Sequence, residues 1–166
     1  PGGKKEEDQS IRILNRIIEW NWEGVWYEAG QRHADIIVKE LALEGNRVKS
    51  EVPGEKATMN EEDEEELPAG DAKIYQALVA GAHYLAQDRS DIQFAVKELC
   101  RRMSCPTRGA WKAFVKLGKN LKTRSRYSYL YIYQDLPKEL TIWTDTDYAG
   151  CKTSRKSTSG GVVMWG

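Results

Sequence analysis

Residues 140–166 read LTIWTDTDYAGCKTSRKSTSGGVVMWG. Leu140, Ile142 and Thr144 alternate with Thr141, Trp143 and Asp145, the two-residue period of a pleated strand. Gly150 breaks that strand and a polar run follows. Residues 159–165 then form a second strand, loosened by Gly160 and Gly161. Asp145 and Asp147 fall on one face of the first strand if it stays extended, or at its fraying end. Mg²⁺ takes hard oxygen ligands, and two ions about 3.5–4 Å apart clamp the attacking and leaving oxygens of a phosphoryl transfer. A carboxylate at a strand end, with another two residues on, suits the start of such a nuclease site. Asp also ends strands and opens turns in proteins of every kind. Spacing alone leaves both readings open.

Working back from this hairpin, Tyr127, Tyr129, Tyr131 and Tyr133 alternate with Ser128, Leu130 and Ile132, a strand with one face all Tyr. That face suits base stacking or, more simply, a cross-strand aromatic ladder against Trp143. The stretch before it is helical. Asp71 is placed to cap a helix running to about Gln87, with Ile74, Leu78, Ala82 and Leu85 along one stripe. Ser90 or Asp91 caps a second helix that buries Ile92, Ala95, Val96, Leu99 and Met103 and ends before Pro106. Thr107 caps a third, with Trp111, Phe114, Val115 and Leu121 inward. Lys112, Lys116 and Lys119 recur at helical spacing on its other side.

Charge is unevenly distributed, although the formal net charge is zero. Residues 61–66, EEDEEE, are wholly acidic, whereas residues 100–134 hold no Asp or Glu. The basic window contains Arg101, Arg102, Arg108, Lys112, Lys116, Lys119, Lys122, Arg124 and Arg126. Such a patch attracts phosphate backbones without reading their sequence; it also matches an ordinary solvated helix face. The acidic run lies in residues 46–70, which carry Pro53, Gly54, Pro68 and Gly70 and no periodicity, so a linker is expected. Its acidic part is expected, most simply, to stay solvated and keep the helices on either side apart; folding back on the later basic patch is the alternative.

In the first half, residues 1–9 are expected to be disordered. Residues 10–20, SIRILNRIIEW, read as one strand, 21–24 as a turn and 25–28 as the returning strand. Trp20, Trp22, Trp26 and Tyr27 cluster there, and packing of a thin sheet against a helix explains them more simply than base stacking. Residues 31–43 follow with Ala34, Ile37, Val38, Leu41 and Ala42 at helical spacing, stopped by Gly45. His33 has no Cys or second His beside it and is assigned no role. Cys100, Cys105 and Cys151 lack metal-ligand spacing and read as reduced thiols of an intracellular protein. No apolar run approaches the roughly 20 residues of a membrane span, and no signal peptide is visible. A chain that opens on Pro1 is expected to be a piece of something longer.

The segment Thr144-Asp145-Thr146-Asp147-Tyr148-Ala149-Gly150 followed by Arg155-Lys156-Ser157-Thr158-Ser159-Gly160 resembles the opening of the ribonuclease H domain of copia-type retrotransposon polyproteins, S/T-D-x-D-W-A-G and then R-K-S-T-S-G. Tyr148 stands where that family usually has Trp. Residues 75–96, YQALVAGAHYLAQDRSDIQFAV, are similar to the same family's Y-R-x-L-V-G-x-L-x-Y-L-x-x-T-R-P-D-I-x-F-A-V, with Ser90 in place of Pro. Residues 103–107 and 111–113 match M-x-x-P-T-x-x-H-W-K-A, with Ala110 in place of His. Residues 10–45 look like the same polymerase just beyond its palm.

The resemblance implies an α+β chain: an N-terminal β-hairpin and helix at the end of the reverse transcriptase (10–45), an acidic linker (46–70), a three-helix, thumb-like connection (71–126), and the first strands of an incomplete ribonuclease H-like fold (127–166). It places Asp145 as the first Mg²⁺ ligand, with Asp147 a weaker second. Further carboxylates belong to later elements of that fold, so catalysis by this segment alone is not expected. The Tyr-x-Asp-Asp box of the polymerase is absent. The implied partners are template–primer or RNA–DNA hybrid and the rest of the polyprotein, with no membrane, in a cytoplasmic particle or the nucleus. The residues expected to touch nucleic acid are Arg101, Arg102, Lys112, Lys116, Lys119, Lys122, Arg124, Arg155 and Lys156. A decayed or domesticated nucleic-acid-binding module and a helical interaction scaffold are the alternatives.

Overall fold

A computed structural model describes residues 9–45, 49–54, 61–151 and 155–166. The chain is α+β and divides into two units, the first ending at Tyr131 and the second opening at Ile132. The expected disordered start lies, apart from Gln9, outside the described residues, as do residues 152–154 of the polar turn.

The first unit begins with three short strands, β1 (Ser10–Ile13), β2 (Arg16–Trp20) and β3 (Gly24–Glu28), each antiparallel to the next. The single strand expected over residues 10–20 is thus two. Leu14 and Asn15, both with positive φ (49° and 66°), form a two-residue loop between the partners Ile13 and Arg16. Two positive φ values define the type I′ turn, whose twist matches that of the flanking strands. The expected turn after Trp20 is present. The Asn21 carboxamide oxygen accepts from the backbone N–H groups of Glu23 (2.8 Å) and Gly24 (3.3 Å), an Asx turn.

Helix α1 (Arg32–Glu40) follows and stops earlier than Gly45. Its end is a Schellman motif: Ala42, at φ 49°, donates to the Lys39 carbonyl and Leu43 donates to the Val38 carbonyl. Leu41 and Leu43 then lie over α4 (Arg108–Thr123) at Gly118, where an added Cβ would stand 2.7 and 2.9 Å from their methyl groups. Helix α2 (Ala69–Leu85) starts two residues before Asp71, which sits in its first turn and does not cap it. After a 3-10 turn (Ser90–Ile92) come α3 (Gln93–Cys100) and α4. Thr107 caps α4 as expected, its hydroxyl accepting from the Ala110 N–H at 3.3 Å.

The core lies among these helices, around Ile37, Tyr75, Val79, Leu85, Ile92, Val96, Phe114, Leu117 and Leu121. The Tyr75 and Phe114 rings meet edge-on at 5.9 Å, and the buried Tyr75 hydroxyl donates to the Leu99 carbonyl (2.8 Å). Asn120 is also buried and donates to the Ser50 carbonyl at 3.1 Å, holding residues 49–54 against α4. Met103 and Trp111, expected inside, are half-buried at its edge.

Strand β4 (Ser128–Ile132) completes a four-stranded sheet in the order β1-β2-β3-β4. The sequence grouped this Tyr-rich strand with the hairpin that follows. It instead lies beside β3, and the ring opposite Tyr129 is Tyr27 at 6.4 Å. The second unit contains β5 (Leu140–Thr146) and β6 (Ser159–Trp165), paired antiparallel along their length with Asp145 opposite Gly160. Both strands are exposed throughout.

Candidate nucleic-acid interface

The Arg-Ser-Asp sequence at residues 89–91 builds the corner from which the basic helices project. Arg89 is only 1% exposed. Its guanidinium grips the Asp91 carboxylate with two bonds (2.9 and 2.8 Å), donates a third to the Arg124 carbonyl at the end of α4 (3.1 Å), and lies 5.1 Å over the Tyr127 ring. A planar five-donor group meets these demands, which an ammonium does not. The Ser90 N–H donates to the Tyr129 hydroxyl (3.0 Å), a bond that Pro at this position is unable to make. Tyr127 and Tyr129 therefore turn their hydroxyls to this corner.

A second polar junction ties the sheet to the end of α2. Arg16 donates to one Asp88 carboxylate oxygen and Tyr27 to the other, both at 2.7 Å. Burial and the Asp88 bond push the Tyr27 hydroxyl up to about 12. Arg16 is also raised by its Asp88 bond and lies over the Tyr84 ring. His33, assigned no role, packs on that ring at 5.1 Å.

The basic window is carried by the turn after α3, by α4 and by the residues that follow α4 toward β4. Arg101 pairs with Glu98 (3.3 Å) on its own turn, and Glu98, despite burial that works the other way, is held low by Lys97 and Arg101. Lys122 donates to the Leu43 carbonyl at 2.7 Å, so it ties α1 to α4. Arg124 is exposed and contributes its carbonyl to Arg89. Arg126 forms a two-pronged pair with the buried Glu28 carboxylate. Lys116 and Lys119 are half-buried on α4, between Lys112 and Lys122. Arg155 and Lys156 are exposed in the turn before β6 in the second unit.

The acidic run does not stay solvated away from these cations. Its first residues form a 3-10 turn (Glu61–Glu64), and the chain then runs alongside the start of α4. The Arg108 N–H donates to the Glu65 carbonyl (2.9 Å), the Leu67 N–H to the Pro106 carbonyl (2.9 Å), and Glu66 bridges Thr107 antiparallel. Three ion pairs accompany this backbone docking: Asp63 with Lys112 (2.8 Å), Glu64 with Arg102 (3.4 Å) and Glu65 with Arg108 (2.8 Å). The Asp63 bond raises Lys112. Gly109 permits the approach, since an added Cβ would stand 2.9 Å from the Asp63 Cβ and 3.0 Å from its carbonyl oxygen. Helix α4 has no acidic residue in its first turn, and the docked carboxylates supply negative charge near that positive helix end. Sequence reading paired the two charge runs only as an alternative. Ion pairs between residues 38 to 49 positions apart have no periodicity to announce them.

In the second unit, Asp145 is the next-to-last residue of β5 and its carboxylate accepts from the adjacent Thr146 N–H (2.9 Å). Asp147 lies beyond the strand and is committed to the turn: its carboxylate accepts from the Thr158 N–H, and its own N–H donates to the Thr158 carbonyl (3.0 Å). Its carboxylate also presses on Gly150, where an added Cβ would stand 1.8 Å from an oxygen. Among the described residues no group of three or more His, Cys, Asp or Glu is placed to hold a metal ion. The two Asp side chains do not by themselves supply the donors of a two-ion site. The three cysteines are free thiols, and no helix among the described residues is long and apolar enough to cross a membrane.

No protein-family profile matches the chain, and no solved structure matches it. Curated proteins do. An uncharacterised mitochondrial protein of Arabidopsis thaliana is 30% identical over 96 residues, which are 58% of this chain and 40% of that protein. The retrovirus-related Pol polyproteins from the Arabidopsis thaliana transposons RE2 and RE1 are 28% and 29% identical over 96 residues. The chain thus spans less than half of the mitochondrial relative and 6% of each polyprotein. Over that stretch, the chain is related to the Pol polyproteins of retrotransposons.

Proposed function

We propose that this chain is the part of a retroelement reverse transcriptase–ribonuclease H polyprotein that holds template–primer between two catalytic modules. The observation that carries this reading is the row of cations on α4, within a window of 35 residues (100–134) lacking any Asp or Glu, in a relative of Pol polyproteins. Arg101, Arg102, Lys112, Lys116, Lys119, Lys122 and Arg124 supply the phosphate contacts from this helical layer, and Arg155 and Lys156 from the second unit. Asp145 is the first Mg²⁺ ligand of the ribonuclease H module, its companion carboxylates coming from other segments of the polyprotein. The setting is intracellular, in a cytoplasmic particle or the nucleus.

The test is binding of a fluorescent RNA–DNA hybrid at a series of salt concentrations. Affinity should fall steeply with salt, and changing Lys112, Lys116, Lys119, Lys122 and Arg124 to Gln should flatten the slope by roughly 0.9 for each phosphate left without its cation. Unchanged binding by that variant defeats the reading. A helical interaction scaffold is the second reading, favoured by the carboxylates already seated on Arg102, Arg108 and Lys112. Absence of affinity for any nucleic acid supports it.

A further inference from the structure

We infer that residues 61–67 are a built-in competitor for the polynucleotide, an acidic strap that must leave the start of α4 before phosphates take its place. The inference rests on the proposed nucleic-acid contact and adds its regulation. Three carboxylates of the strap, Asp63, Glu64 and Glu65, hold Lys112, Arg102 and Arg108, charges that a phosphate backbone would neutralise. The strap is fitted to its seat. Two backbone hydrogen bonds and the bridge between Glu66 and Thr107 set its register, and Gly109 lets it lie against the helix. Yet its hold is reversible. Water reaches both partners of two pairs, Arg108 and Glu65 (61% and 57% exposed) and Arg102 and Glu64 (33% and 52%), while in the third Lys112 is exposed and only Asp63 is largely covered. Pairs so open to water are weak and screened by salt. A polyanion offering many phosphates at once exchanges with such a strap, since it extends along the full length of α4, past Lys112 to Lys116, Lys119 and Lys122.

The experiment compares the full chain with a triple variant, Asp63→Asn, Glu64→Gln and Glu65→Gln, in hybrid binding across a salt series. A control variant, Asp35→Asn, Glu40→Gln and Glu44→Gln, carries the same change in net charge at exposed positions in and just after α1. The strap variant should bind at least about fivefold more tightly, the lower end of ordinary coupling between competing ligands. Its salt slope should steepen by up to roughly 0.9 for each of the three cations released. Equal affinity and slope for the wild type and the strap variant, or an equal gain in the control, overturns the competitor while leaving the nucleic-acid reading intact. No binding by any of the three overturns both. Should the strap variant fail to fold, hydrogen exchange on the unaltered chain decides: saturating hybrid should speed exchange of the Leu67 and Arg108 amides. Unaltered exchange in the bound state counts against the strap.

Discussion

Arg89 shows how one buried charge is made tolerable: every face of its guanidinium meets a carboxylate, a carbonyl or a ring. Removing one partner of such a pair leaves the other uncompensated, so Arg89→Leu should lower unfolding free energy by about 3 kcal/mol or more. Arg89→Lys should recover little, because an ammonium reproduces neither the fork nor the stacking; chemical denaturation of both variants checks this. Tyr27 gives a pH signature. Its hydroxyl is held protonated up to about 12 against an unperturbed value of 10.0. The folded state therefore binds the proton more tightly. The resulting stability is full below about pH 10 and is lost as pH rises toward 12. Thermal unfolding across that window should show a decline that is shallower in Tyr27→Phe. Neither residue's role is legible in the sequence. Arg89 belongs to a recognisable pattern, but its partners at Arg124 and Tyr127 are distant along the chain, and nothing in the sequence singles out Asp88.

Elements were legible where their signals are local. Thr107 after Pro106 marks the start of α4, and the alternation over residues 140–146 marks β5; both stand where expected. Boundaries failed where an unusual residue takes a special backbone angle. Leu14 and Ala42 hold positive φ without being Gly, Asn or Asp, so neither the first hairpin turn nor the end of α1 announces itself. That strain is a reserve of stability. Replacing Ala42 with Gly removes a left-handed penalty of about 1–2 kcal/mol and adds an unfolded-state cost of about 0.4–1. A net gain of up to roughly 1 kcal/mol should appear as a higher denaturation midpoint. Asp71 is the opposite case, a good capping residue two positions too late, since Pro68 already sits at the N-cap position of α2.

At the scale of the whole chain, the α+β class and its order of hairpin, helix, helical layer and final hairpin were readable from periodicity. The packing of residues 49–54 and 61–67 onto α4 was not, because it depends on Asn120, Gly109 and charges far apart in sequence. The two units should also differ in local stability. Residues in β5 and β6 are exposed on both faces of a two-stranded ribbon, an arrangement marginal in water. Their amides should exchange far faster than those of α2, whose Tyr75, Val79 and Ala82 are fully buried. Salt should loosen the acidic segment selectively: exchange at Leu67 should quicken between low and high ionic strength while Val79 holds steady.

Gly109 has a consequence for how the acidic segment can be moved without touching charge. A side-chain methyl there must displace Asp63 itself, main chain included, because the room is a few tenths of an ångström short. Gly109→Ala is therefore a wedge, electrically silent, that should pry the carboxylates from their cations and raise hybrid affinity at constant net charge. Titration of that one variant separates geometry from electrostatics, a distinction that neutralising the acids cannot make.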